Sequence, residues 1–307
     1  AAAARILGDT AMLVRLARDA EPNVAIAAMT TNDDAIRALR SSHSALVMAG
    51  VDRLAGDPVR NAPLSPPALS AMLDALDRLT RTRLATVRDP RMKLLAAILR
   101  GTDTARVLAL VAPLVSDRDP AVAAEAARLV TAFSRSPVQP VTVRYRPPPL
   151  PSDAYLRALQ GATASVRIRD VGEIEMALLT DDATVAVATF AALADSGRFN
   201  GLTFHRIVPN FVVQGASPGA NEYNALTTWF MRDEVGLTRN SRGTFGVSTR
   251  GRDTGDGQIY INLIDNFRLD HDYTVFARTL RGLGVIDRIQ EGDTIESVRI
   301  IRPTRNR

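Results

Sequence analysis

The chain has no cysteine. That one absence excludes disulfide scaffolds, thiolate nucleophiles and cysteine-ligated metal sites together. Lysine is almost missing too: Lys93 stands alone, so arginine carries nearly all the positive charge behind the net +5. The arginines are dispersed among Asp and Glu, without the aromatic-studded basic run of a nucleic-acid surface, and read as ordinary solvated faces. Their guanidinium forks do favour carboxylate-bearing partners, which they bind bidentately. The three histidines, His43, His205 and His271, share no metal-ligand spacing. No apolar run approaches the roughly 18 residues of a membrane span. An initiating methionine is also missing; with the absent cysteine, this favours a processed, exported or periplasmic chain over a cytoplasmic one.

What is present is a large apolar complement, 46% of 307 residues, enough for two domains with cores of their own. Residues 1–135 read as helices in pairs: Thr10–Arg18 with Pro22–Met29, Asp33–Leu39 with His43–Leu54, Pro67–Leu84 with Asp89–Leu99, and Thr104–Val115 with Asp119–Phe133. Glu21-Pro22, Asp89-Pro90 and Asp119-Pro120 place an acidic N-cap before a proline at N1. Helix pairs recurring every 20–40 residues, each too small for a core of its own, predict an α-solenoid. The Asp-Pro-x-Val/Met openings resemble HEAT-type repeats; a plain helical bundle is the alternative. His43 is expected to cap a helix or face solvent. Residues 136–153 are proline-rich, with Pro147-Pro148-Pro149 and Pro151, and predict a semi-rigid linker.

From residue 154 onward, after a short helix at Asp153–Gln160, the pattern changes to period two. Strands are expected at Ser165–Arg169, Glu173–Leu179, Leu202–Val208, Phe211–Gln214, Thr244–Ser248, Gln258–Asn262, Thr274–Ala277 and Ile295–Ile301. Helices are expected at Thr184–Ser196, capped by Asp182 or Thr184, and at Gly282–Gln290, and Ala216–Arg242 reads as a long polar excursion. The stretch Gly201–Gly219 stands out, because one arginine, Arg206, lies among Phe204, Ile207, Val208, Phe211, Val212 and Val213, with a Pro209-Asn210 turn between two runs. On two period-two strands Arg206, Phe211 and Gln214 can converge: a fixed cation, an aromatic wall and an amide, with no acid, thiol or metal ligand. Such a patch suits a reaction that makes and breaks no covalent bond. The bland alternative is a buried hairpin with a snorkelling arginine.

Phe204-His205-Arg206, Phe211 and Gln214-Gly215 resemble the F-H-R-x-x-x-x-F-x-x-Q-G signature of the cyclophilin-type peptidyl-prolyl isomerases. The resemblance extends over roughly residues 160–302 and implies an eight-stranded antiparallel barrel with two helices, making the whole chain a multidomain α and β protein. It implies rotation of X-Pro bonds in unfolded or partly folded polypeptides, with no cofactor and no metal. Arg206 would donate to the proline nitrogen, Phe211, Val212, Tyr260 and Leu269 would line a proline slot, and Gln214 would hold the peptide or orient Arg206. Gln258-Ile259-Tyr260 stands where the family has Q-F-F, and Ser248-Thr249-Arg250 where a segment pairs its backbone with substrate. Tyr273 matches a bacterial branch that has tyrosine where others have histidine, and His205 would sit beside Arg206. Two departures are Gln214-Gly215-Ala216-Ser217 in place of Q-G-G-D, and Phe267-Arg268 where the family has an aromatic residue before leucine. The helical repeats would bind a client or partner protein; the other reading is a proline-binding module with little turnover.

Competing motifs fare worse. Gly215-Ala216-Ser217-Pro218-Gly219 fits a nucleophile elbow, with Asp253 or Asp256 and His271 downstream, but Pro218 has no N–H for the oxyanion hole. Asp253–Gly257 hints at a calcium loop, yet setting Gly257 at its glycine position puts Arg252 and Leu263 where ligands belong.

Overall fold

Proline behind an acidic residue does start helices here, though not at all three expected sites. In the computed structural model, which describes residues 1–56, 62–141, 143 and 150–303, the chain divides into two units, Ala1–Pro147 and Pro148–Arg307. The first unit holds α1 (Ala2–Ile6), α2 (Thr10–Leu16), α3 (Pro22–Ala28), α4 (Asn32–Ala38), α5 (Ser44–Ala55), α6 (Pro66–Arg81), α7 (Arg88–Ile98), α8 (Thr104–Val111) and α9 (Pro120–Ser134). Helices α3 and α9 have proline at N1, and the Asp119 carboxylate accepts from the Ala121 N–H at 3.0 Å. Asp89, by contrast, lies inside the first turn of α7, because a 3-10 turn at Ala85–Val87 runs straight into that helix. His43 is the N-cap residue of α5, without a side-chain cap bond. Thr31 and Asp34 close a reciprocal capping box on α4, worth about 1 kcal/mol. Helix α1 has no counterpart among the expected helices.

Packing is pairwise, α4 on α5, α6 on α7 and α8 on α9, while α3, α5, α7 and α9 follow one another as neighbours. The core between them is aliphatic, built from residues such as Met72, Leu76, Leu94, Ile98, Val107 and Leu129. One charged pair is sunk into it: Arg91 on α7 and Asp117, just before α9, form an ion pair with side chains only 3% and 9% exposed. Arg88 pairs with Asp119 beside it at 2.7 Å.

The expected linker 136–153 is shorter than the composition suggests. Val138 N–H donates to Thr131 Oγ1 and Val141 N–H to the Val115 carbonyl, both at 2.9 Å, so the chain still belongs to the helical unit there. Ser152 already caps α10 (Asp153–Leu159), whose Leu159 is buried in the core of the second unit. Pro147-Pro148-Pro149 lies outside the described residues.

The second unit carries β1 (Thr163–Ile168), β2 (Gly172–Leu178), α11 (Thr184–Asp195), β3 (Phe204–Val208), β4 (Val212–Gly215), β5 (Thr244–Val247), β6 (Ile259–Asn262), β7 (Val275–Arg281), α12 (Leu283–Ile286) and β8 (Ile295–Ile301). All strand neighbours are antiparallel, in the order β3-β4-β6-β5-β7-β2-β1-β8. The sheet curls until its ends meet: Ile295 N–H donates to the Leu202 carbonyl and Phe204 N–H to the Asp293 carbonyl, at 2.8 and 3.0 Å. Joining the two ends satisfies backbone groups that an open edge would leave exposed. Inside, Phe190 of α11 stacks 5.0 Å from both Phe199 and Phe276, and Phe245 meets Phe276 edge-on.

Two expectations here need correction. The helix expected over Gly282–Gln290 is the single turn of α12. Neither Asp182 nor Thr184 caps α11; Ala183 is its N-cap, and the Glu234 carboxylate accepts from the Val185 and Ala186 N–H groups at 2.9 and 2.8 Å. That acid comes from the excursion after β4, which is less polar in its role than in its composition: Leu226, Phe230 and Met231 are buried.

Removing one partner of a buried ion pair leaves a charge without compensation. Asp117→Ala should therefore cost the helical unit about 3–5 kcal/mol. Urea melts of the full chain followed by far-ultraviolet circular dichroism check this, with Trp229, the single tryptophan, reporting an unchanged second unit.

Candidate active site

On β4 the side chains alternate strictly. Val213 enters the barrel core, while Val212 and Gln214 line a groove on the outer surface. Strand β3 breaks the same rule. Phe204 is fully buried in the core, yet Arg206, two residues on, lines the groove. The reason is a β-bulge: Phe204 opposes Gly215 and Arg206 opposes the adjacent Gln214, so His205 is the extra residue. An inserted residue re-aims whatever follows it. Without it, period two would send Arg206 into the core beside Phe204.

The groove is a cavity of about 250 Å³ lined by Arg206, Phe211, Val212, Gln214, Ser248, Thr249, Tyr260, Leu269 and Tyr273, together with Glu222 and Arg250. It thus gathers nine of the expected site residues. Gln214 is the relay between its two sides: its Oε1 accepts from Arg206 Nη1 at 3.2 Å, and its Nε2 donates to Ser248 Oγ at 2.8 Å. Arg206 Nε meets Glu222 Oε1 at 3.1 Å. Among the described residues Nη2 of Arg206 has no partner.

Tyr260 forms the floor. Its ring lies across β5 at Gly246, where an added Cβ would come 2.1 Å from Tyr260 Cζ, so a side chain there would displace the ring. The Tyr260 hydroxyl donates to Asn240 Oδ1 at 2.6 Å, and its ring meets Tyr273 edge-on at 6.0 Å. Burial, reinforced by Tyr273 and Asp270, pushes its phenol up and keeps it neutral. Asn240 also accepts from Asn262 Nδ2, and Asn262 Oδ1 accepts from Asn266 Nδ2, which donates in turn to the Phe211 carbonyl at 2.9 Å. A buried amide chain therefore fixes the Phe211 wall relative to the Tyr260 floor.

Two expected substrate contacts are not in the groove. His205 is buried, since the bulge turns it away from the cavity that Arg206 faces, and its ring lies beside the Thr203 backbone. Gln258 is buried behind the far wall, where Nε2 donates to the Glu222 and Asn224 carbonyls at 3.0 and 3.2 Å. It moors the excursion that delivers Glu222. Asp256, fully buried, does the same by pairing with Arg250 at 2.9 Å and by accepting, through its carbonyl, from Leu226 and Thr227 N–H. Burial raises the Asp256 carboxyl and Arg250 opposes the rise. Ser217 of the elbow-like motif is buried and donates to the Asn224 carbonyl.

Sequence reasoning missed Glu222 and Asn240 as parts of the site. Glu222 and Asn240 lie in the excursion, where no periodicity marks them. Arg250 belongs to the segment that the resemblance sets against substrate, though its side chain was given no role there.

Of the Phe267-Arg268 pair before Leu269, Arg268 holds its guanidinium 4.2 Å above the Phe211 ring. Phe267 turns outward, 55% exposed, beneath Arg239. The exposed cation–π contact contributes about 0.5–1 kcal/mol.

Burial pushes the His205 imidazole down from an ordinary 6.5 to about 4, the neighbouring Arg206 charge adds to the shift, and the Thr203 backbone opposes it. A folded pKa below the unfolded one means that the unfolded chain gains the proton first, so this stability is present above pH 6.5 and is lost as pH falls towards 4. His205→Asn should remove that loss, on the order of 2 kcal/mol. Thermal melts check it: the gap between wild type and variant should narrow from about pH 7.5 to about pH 4.5, whereas a constant gap means His205 protonates in place.

Known proteins place the second unit in a family. The family described as cyclophilin type peptidyl-prolyl cis-trans isomerase/CLD matches residues 163–305. A peptidyl-prolyl cis-trans isomerase of Helicobacter pylori is 39% identical over 134 residues, 41% of this chain and 80% of that protein. Peptidyl-prolyl cis-trans isomerase B of Bacillus subtilis is 32% identical over 134 residues, 43% of this chain and 94% of that protein. A crystal structure of a Cryptosporidium parvum cyclophilin type isomerase aligns at 18% identity with a TM-score of 0.41, over 47% of this chain and 98% of that one. With a bacterial relative 39% identical across 80% of its length, the chain belongs, through its C-terminal unit, to the cyclophilin-type peptidyl-prolyl cis-trans isomerases.

Proposed function

We propose that residues 154–307 catalyse rotation about X-Pro bonds in unfolded or partly folded polypeptides, and that residues 1–135, a HEAT-like α-solenoid, hold the client or a partner protein. Resonance sets a barrier of about 20 kcal/mol to that rotation. A catalyst must bind the twisted amide better than either planar form. As the bond twists, the proline nitrogen recovers its lone pair and becomes an acceptor. Arg206 is the donor in this reading. The observation that carries it is the distribution of its contacts: Gln214 holds Nη1 and Glu222 holds Nε, which leaves Nη2 for the substrate beside an apolar slot. Its permanent charge requires no proton transfer.

The slot of Phe211, Val212, Tyr260 and Leu269 would clamp the proline ring, so that the acyl end turns while the nitrogen end stays fixed. Ser248 and Thr249, on the opposite wall, would receive the peptide backbone, with Tyr273 closing the floor. His205 acts in this scheme by re-aiming Arg206, and Gln258 by mooring the excursion. No cofactor is needed. For the first unit, support comes from the succession of α3, α5, α7 and α9 as neighbours, the expected pattern of stacked helix pairs.

Arg206→Ala should lower isomerisation at least about 100-fold, a loss of about 2.7 kcal/mol in transition-state stabilisation. Arg206→Lys should recover only part, since a point charge lacks the planar fork. A protease-coupled X-Pro assay or NMR exchange measures both; near wild-type turnover in Arg206→Ala would remove this residue from the mechanism.

The tethered helical unit should act only on clients long enough to reach it. The full chain should therefore speed proline-limited refolding of a protein more than a fragment starting at about residue 150 does, with the fragment folding on its own. On a tetrapeptide the two should be equal. Equal rates on both substrates would instead make the helical unit a scaffold for another partner.

A further inference from the structure

Arg268 is a cation beside this groove, next in sequence to Leu269 of its lining. Its guanidinium stacks on Phe211, one wall of the slot, and among the described residues no carboxylate pairs with it. The arginines that line the groove differ: Arg206 is paired with Glu222 and Arg250 with Asp256. The π contact fixes the position of the group without consuming its charge or its in-plane donors, which remain available to an oxyanion. The neighbouring apolar side chain, Phe267, is turned outward beneath Arg239.

We infer that Arg268 is a specificity-determining residue that makes the groove prefer peptides bearing a carboxylate next to the proline. The inference rests on the proposed isomerase reading and adds a substrate class to it. A proline ring packed on Phe211 lies within a few ångströms of the guanidinium, and its chain neighbours are about 3.8 Å away, Cα to Cα. An Asp or Glu side chain adjacent to proline thus spans the remaining distance. A Lys or Arg there would meet like charge. The aromatic residue that the family resemblance leads one to expect here would provide area without sign.

The test uses the full chain and tetrapeptides that differ only beside proline: Glu, Gln or Lys before it, and the same set after it. We expect kcat/KM for the Glu peptide to exceed that for its Gln counterpart about three- to fivefold at low salt, at one of the two positions, with Lys lowest. The ratio should fall towards one at about 0.5 M salt. In Arg268→Gln the ratio should collapse, and in Arg268→Glu it should invert in favour of Lys. Arg299→Gln on β8, a strand that contributes no groove residue, is equal in charge change; it should keep the wild-type ratio and so separates local contact from steering by net charge. A ratio of one at both positions, or a preference that survives Arg268→Gln, overturns the inference. Absence of turnover on the Gln peptide itself would overturn the isomerase reading instead.

Discussion

A β-strand sends alternate side chains to opposite faces, and the groove exists because that rule is broken once. Phe204 must fill the barrel core and Arg206 must stand outside it, two positions apart on one strand, which strict alternation forbids. The bulge at His205 resolves the conflict by inserting one residue into β3 opposite Gln214 and Gly215. The cost is a buried imidazole, held neutral because its surroundings disfavour the charged form. Three consecutive residues are thus assigned three different environments: core, bulge and groove.

From that point the site is assembled by polar side chains that never touch a ligand in the proposed mechanism. Gln258 and Asp256 hold the excursion, the excursion presents Glu222, and Glu222 engages Arg206 from one side while Gln214 engages it from the other. On the opposite wall Asn240, Asn262 and Asn266 connect Tyr260 to the backbone of Phe211. Each buried amide in these chains would be costly alone and is affordable only in company. The proposed slot is therefore rigid because its supports must all be satisfied together.

Much of this was legible in the sequence. Eight strands, the helix before the signature and the paired helices of the first unit follow from periodicity and from caps, and the observed ends differ by a few residues. The convergence of Arg206, Phe211 and Gln214 was readable because an arginine inside an apolar run is conspicuous. What was hidden has a common physical cause: it depends on contacts between residues far apart in sequence. Glu234 capping α11 from about 50 residues away, Leu226, Phe230 and Met231 filling the core from a polar stretch, and Asn240 beneath Tyr260 leave no local pattern. The inward turn of His205 was hidden for another reason, since a bulge shifts a strand's parity without changing its composition.

The overlap of Gly246 with Tyr260 has a consequence for how such a groove can change over time. Any side chain added at 246 would displace the ring that forms the floor, and a smaller residue at 260 would open a void above a bare backbone. A lineage can remodel the floor only by altering both positions at once, a rarer event than either change alone. The rim is under no such constraint: Arg268 sits in solvent above Phe211 and can be exchanged singly. Diversification in proteins built this way should therefore accumulate around the mouth of the groove while its floor stays nearly still.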